Sequence, residues 1–296
     1  MRTRADELLE GAIDLHAHIH PQLLLNEPGR VLDHEWAKAA RDAGMRGFAM
    51  KSHLWPTMGQ ARILSEMFPG IAAIGTITLN NNVGGLCPFT AESAVKLGAR
   101  CIWMPTFSAA NDIRVGAYAP RIAAAIEHPP PGEGLGVHGD DGKILPAIEA
   151  IMEIARDGDV IFSTGHFSAG EGVALARRAK EMGLTKFVFT HPLNKAVQAS
   201  DAQMREVAEL GYTIEHCALG MFPLWQSLAP GRIASAIRLL GAERCIMTTD
   251  GQMDFNPPPP EMLRMFIATM LQLGVDKEDI EWMVRRNPAK LAGLEG

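Results

Sequence analysis

The sequence contains no apolar run approaching the roughly 20 residues needed to cross a bilayer as a helix, so it predicts no membrane span. It also lacks a Cys-x-x-Cys pair. Cys87, Cys101, Cys217 and Cys245 stand apart, which argues against a dithiol redox motif and for reduced, mostly buried thiols. Cys217, next to His216, also qualifies as a metal ligand, with a structural thiol the more common use. No Gly-x-Gly-x-x-Gly follows the first apolar segment, which leaves a dinucleotide fold without support. Basic residues are scattered and the formal charge is -6, so nothing offers a stripe to a phosphate backbone and no nucleic-acid partner is expected. Residues 1–10 mix Arg2, Arg4, Asp6, Glu7 and Glu10 without an apolar core, which predicts no secretory leader and a cytoplasmic protein. Heptads and interface stripes are absent too, so a homo-oligomer, though common for large enzymes, is not assigned a surface.

What the chain does have is 47% hydrophobic residues against 21% charged, the make-up of a globular enzyme with a large core. Short β-rich apolar segments recur eight times, at residues 12–18, 47–51, 71–79, 100–104, 160–164, 186–190, 212–215 and 244–249. Between them lie amphipathic stretches of helical period at 33–43, 57–67, 90–97, 144–156, 169–182, 201–210 and 232–240. Several close on a glycine suited to a left-handed cap: Gly44, Gly98, Gly183, Gly211 and Gly241. Such alternation implies parallel strands with crossover helices, and eight units match an α/β fold of the closed (β/α)8 TIM-barrel type better than an open sheet. The spacing breaks once. Residues 106–143, with Pro129-Pro130-Pro131 and several glycines, read as an insertion after strand four, either a lid or a packing loop, with a small hairpin near 134–142. Helices at 261–273 and 277–285 complete the outer ring, and residues 1–296 read as one distorted barrel domain without a linker.

In such a barrel the catalytic groups gather at the C-terminal ends of the strands. Those ends are rich in metal ligands here. Strand one carries His16 and His18, two imidazoles one residue apart and therefore on one side of a strand; His20 and Pro21 end that strand. Strand two supplies Lys51 and His53, strand five His166, strand six His191, strand seven Glu215 and His216, and strand eight Asp250. Chance placement of imidazoles at five of eight strand ends is a poor explanation, because histidine is rarely buried without a partner. Neutral imidazoles with one carboxylate suit zinc first, with manganese, iron or cobalt as alternatives, whereas calcium and magnesium prefer oxygen shells.

The ordered set Asp14-Leu15-His16-Ala17-His18, Gly165-His166, Thr190-His191-Pro192, Thr249-Asp250 and the closing Asn287-Pro288-Ala289-Lys290-Leu291 resembles the amidohydrolase superfamily of metal-dependent hydrolases. The resemblance spans nearly the whole barrel and implies one or two divalent ions. By position it implies that His16 and His18 bind the more buried ion, that His166 and His191 bind the more exposed one, and that Asp250 binds the first ion and accepts a proton from the attacking water. One departure stands out. Many members carry a bridging carboxylated lysine or glutamate on strand four, whereas strand four here ends Trp103-Met104-Pro105-Thr106. Lys51 is the substitute, either as a carbamate bridging two ions or as a cation for an anionic substrate, with His53 as a further ligand.

The expected reaction is hydrolysis of a small carbonyl compound, a cyclic or linear amide before a lactone. In this scheme His216 or His53 polarises the carbonyl, and Glu215 either fixes an imidazole tautomer or makes a rim salt bridge. Asn80, Asn81 and Asn82 after strand three read as substrate contacts or as a turn, Trp103 as a stacking or packing ring, and Arg114 as a carboxylate partner or a solvated surface charge. Non-oxidative decarboxylation of a small aromatic or unsaturated acid is the second reading, phosphoester hydrolysis a third, and an inactive metal-binding barrel the non-enzymatic one. A small molecule is the expected partner, with neither nucleic acid nor membrane.

Overall fold

Each of the eight apolar segments folds as a strand. The computed structural model describes residues 2–19, 31–117, 132–222, 227–251 and 256–295. In it β1 spans Ile13–His18, β2 Gly47–Lys51, β3 Ala72–Thr78, β4 Cys101–Trp103, β5 Ile161–Ser163, β6 Phe187–Phe189, β7 Thr213–Cys217 and β8 Cys245–Thr248. They form one parallel sheet in the order β1 to β8 with helices between successive strands, the arrangement of a (β/α)8 TIM barrel. Every residue of β1 and β2 is buried, as both-face burial requires of a strand covered by helices outside and by layered side chains inside. Among the described residues no helix is long and apolar enough to cross a membrane.

The chain divides into two compact units, the first made of Met1–Lys51, Gly59–Gly75 and Glu215–Gly296, the second of Ser52–Met58 and Thr76–Ile214. In the first unit β1 pairs with β2 (Ile13 opposite Gly47, His18 opposite Lys51) and β2 with the start of β3. The last strand returns to the first there: the Asp250 N–H donates to the His16 carbonyl at 2.7 Å and the His18 N–H to the Gly251 carbonyl at 3.1 Å. A short helix, Arg4–Leu9, begins at a capping box in which Thr3 and Asp6 satisfy each other's backbone N–H groups. Its charged residues hid it from the hydrophobic pattern. It packs on the helix Pro259–Gln272.

In the second unit β4 pairs with the end of β3 and with β5, and β6 joins β5 to the start of β7. The helix Pro146–Asp157 buries Ile148, Ile151, Met152 and Ala155, the i, i+3, i+4, i+7 stripe that its period predicts. The helix Ala169–Glu181 starts at a Ser168–Glu171 capping box and lies so close to the sheet that a Cβ on Gly172 would stand 2.5 Å from the Phe189 ring. The described part of the insertion contains a helix, Ala110–Val115, and a hairpin in which His138 bridges Ile144. Pro129-Pro130-Pro131 of the insertion, and His20 and Pro21 at the expected end of β1, lie outside the described residues.

Two boundaries differ from expectation for physical reasons. The helix at Lys277–Glu281 passes into a π turn, Trp282–Arg286, before a last helix, Asn287–Ala292. Pro288 lacks the N–H that would close the α ladder there, so the register must change ahead of it. β7 runs on through Glu215 to Cys217, so His216 lies within the strand and not past its end.

Candidate active site

The first unit gathers one polar group at the C-terminal ends of β1, β2 and β8 and on β7. His16 and His18 both turn to Asp250, with each Nε2 at 3.0 Å from Asp250 Oδ1. His16 Nδ1 faces Glu215 Oε1, also at 3.0 Å, and Lys51 Nζ stands 2.8 Å from His16 Nε2. All five side chains are buried, Lys51 with no exposed surface at all. Beneath them the Asp14 carboxylate accepts hydrogen bonds from the backbone N–H groups of His16 and Thr249, both at 3.1 Å, and from the Thr249 hydroxyl at 2.6 Å, which ties β1 to the chain entering Asp250. Asp250 itself has a left-handed backbone with φ of 52°, tolerable for aspartate and costly for most side chains.

Charge and burial set the protonation of this group. Burial and the Lys51 ammonium oppose a charge on His16, but the Asp250 and Glu215 carboxylates outweigh them, and its pKa lies above the ordinary imidazole value. Burial drives His18 down to about 3, so its ring is neutral. Burial would raise Asp250, yet the His16 charge and the hydrogen bonds from His16 and His18 hold it well below the usual carboxylate range. Asp14 is pushed up to about 6 by burial, against its bonds from Thr249 and His16.

The donor set fits a divalent ion. One ligand atom each from His16, His18 and Asp250 lie within 4.8 Å of one another. Around a tetrahedral zinc-like ion with bonds of about 2.1 Å, ligand atoms stand roughly 3.4 Å apart, close to the separations found here. Glu215 on Nδ1 then directs the Nε2 lone pair of His16 into that cluster. Cys217 makes a second combination with His16 and Glu215, but burial, followed by the Glu215 and Asp250 charges, raises its thiol well above the usual value, and its Sγ sits 3.1 Å from the Thr248 hydroxyl. Since Glu215 and Cys217 both approach His16, strand alternation sets His216 on the other face of β7. There it is buried, both ring nitrogens lack a hydrogen-bond partner among the described residues, and burial with the nearby Arg232 takes it down to about 4 despite Glu215.

The second unit has a polar group of its own. His166 and His191 lie beside each other, ring centroids 5.0 Å apart, and His166 Nδ1 is 2.8 Å from the fully buried Asp112 carboxylate. Asn111 donates to the carbonyls of His166, at 2.9 Å, and Ala196, at 2.6 Å, so the insertion helix acts here as a packing brace. Gly165, just ahead of His166, has φ of +60°, and a Cβ there would meet the Met104 carbonyl oxygen at 2.3 Å; only glycine fits. His191 also has a positive φ, 25°, a strained value for a histidine. His53 Nδ1 meets the Thr106 hydroxyl at 2.9 Å. Asn80, buried, donates to Thr106 Oγ1 and to the His53 carbonyl and accepts from the backbone N–H groups of Thr106 and Ser108. Asn82 is exposed and donates to the Leu54 carbonyl, and Trp103 is buried within β4.

The structure thus brings together His16, His18, Lys51, Glu215 and Asp250 in one unit, and His166 and His191 in the other. Sequence reasoning missed Asp112, Asn111, Thr106 and Thr249 as partners. Asp112 and Asn111 sit in the insertion, where no periodicity marks them; Thr249 stood in the Thr249-Asp250 pair without a role.

The model of a family of unknown function, DUF6282, matches residues 11–215. No curated protein is similar enough in sequence to count as a relative. Solved structures share the fold at low identity. An amidohydrolase from Pseudomonas aeruginosa superposes with a TM-score of 0.65 at 11% identity, covering 98% of this chain and 99% of its own. A 2,6-dihydroxybenzoate decarboxylase from Rhizobium gives 0.53 at 13%, covering 97% and 100%. A mutant of the PTE-like lactonase of Deinococcus radiodurans gives 0.55 at 16%, covering 99% and 98%. The chain therefore shares its fold with an amidohydrolase, a decarboxylase and a lactonase.

Proposed function

Because the chain belongs to the DUF6282 family and carries a buried His16–His18–Asp250 donor set on an amidohydrolase fold, we propose that it is a metal-dependent hydrolase of a small carbonyl substrate, an amide or cyclic amide before a lactone. The observation that carries this reading is the convergence of two buried imidazole nitrogens on one buried carboxylate oxygen, each at 3.0 Å.

His16 Nε2, His18 Nε2 and Asp250 Oδ1 would hold the ion, with zinc first and manganese or iron as alternatives. Bound there, a divalent ion lowers the pKa of water from 15.7 towards ~7 and polarises a carbonyl. Glu215 holds the His16 tautomer through Nδ1, and the neutral His18 needs no deprotonation to serve as a ligand. Asp250, kept ionised, takes the proton of the attacking water and returns it to the leaving nitrogen. Lys51, against His16 Nε2, either joins the ligands as a carbamate or pairs with an anionic substrate. His216 faces away from His16, so the carbonyl-polarising role that the sequence offered to His216 or His53 does not fall to His216. The ligands of the first unit suffice for one ion; a second ion would draw on His166 and His191.

The test is metal analysis of the purified protein together with assays on a panel of amides and lactones. A bound divalent ion and water-dependent cleavage that is lost on chelation and restored by metal are expected. Full activity of metal-free protein defeats the proposal. Carbon dioxide release from an aromatic acid without water addition would favour the decarboxylase reading.

A further inference from the structure

The first unit has a cavity of about 580 Å³ at the opposite ends of the strands that carry the candidate metal ligands. Arg46 immediately precedes β2, whose last residue is Lys51, and Arg244 immediately precedes β8, which leads to Asp250. The π turn Trp282–Arg286 brings Arg285, Arg286 and the Trp282 ring to the same cavity, and the last helix adds Lys290. From this geometry we infer that the cavity is a binding site for a small polyanion of the pyrophosphate type.

Three observations carry the inference. Five cationic side chains face two carboxylates, Glu243 and Glu295, so the cavity is locally positive on a chain whose formal charge is -6. The guanidinium groups come from three separate stretches of chain, which suits an anion with oxygens pointing in several directions, as in phosphates, better than a flat carboxylate. The third observation is the π turn Trp282–Arg286 itself, which also ties the Arg285 guanidinium to the Glu7 carbonyl. A π turn is a costly break in a helix and frequently marks a functional site. Here it also lays Arg286 over the Trp282 ring, 4.9 Å from its centroid, and within 3.2 Å of Glu281, which fixes one wall of the cavity.

The test is calorimetric titration of the full-length protein with inorganic pyrophosphate, with citrate as a control. One saturable site is expected, weakened by added salt and preferring pyrophosphate to citrate. Arg244 and Lys290 are exposed, so the double variant R244Q/K290Q should fold, and it should bind pyrophosphate roughly tenfold or more weakly. D250N separates this site from the candidate metal centre and should bind pyrophosphate as the parent does. A rise in Tm with pyrophosphate, smaller in the double variant, is the independent check on folded protein. Absence of saturable binding, preference for citrate, or binding lost in D250N and kept in R244Q/K290Q overturns the inference.

Discussion

The two polar groups are built in opposite ways. In the first unit the functional atoms sit on strands or, for Asp250, just past the end of one, and converge on one another: His16 and His18 on Asp250, Glu215 and Lys51 on His16. In the second, three candidate residues are held by partners that are not themselves candidates: His166 by Asp112, and His53 and Asn80 by Thr106. Convergence of titratable groups without intervening neutral partners is expensive in a buried setting, and it persists where the group has a task. Saturation of each polar atom by a neutral or braced partner is instead how a core secures its geometry.

The largest effect should come from D250N, which removes the proton acceptor while keeping a residue that tolerates the left-handed backbone. A fall of about a thousandfold in kcat with unchanged circular dichroism is expected; activity near the parental level would dissolve the contrast from the first side. E215Q should weaken metal affinity about 10- to 100-fold in a chelator competition, since it loosens the His16 tautomer without removing a ligand. D112A leaves a buried imidazole nitrogen unpaired and should cost about 2 kcal/mol in urea unfolding with metal affinity nearly parental. Should D112A lose metal as E215Q does, the second group also holds an ion and the contrast fails. The smallest effect on function belongs to N80A, which orphans the buried Thr106 and Ser108 N–H groups and should cost about 2–4 kcal/mol of stability with KM almost unmoved. A large rise in KM would return Asn80 to the role of substrate contact that its place after β3 suggested.

This contrast also explains what the sequence revealed. Strand-borne groups repeat with period 2 and end where the apolar run ends, so β1, β2 and β8 announced His16, His18, Lys51 and Asp250 together with the barrel itself. The glycines expected to cap helices do so with positive φ, as at Gly44 and Gly183. Asp112 was not legible, because a six-residue helix inside an insertion has no period long enough to show which side faces His166. The side to which His216 turns was hidden by a two-residue error in the end of β7, since each added residue reverses the face. The helix Arg4–Leu9 escaped because its signal lies in the Thr3–Asp6 cap and not in its apolar content.

The left-handed turn of the main chain at Asp250 narrows the alphabet available at that position. Glycine, asparagine and aspartate sit there comfortably, and of these three only aspartate can accept a proton. A glutamate would bring the right chemistry on the wrong backbone. Any natural or engineered relative that shortens or relaxes the link after β8 would therefore be released from this restriction, and position 250 would be the first place to look for a change of acid.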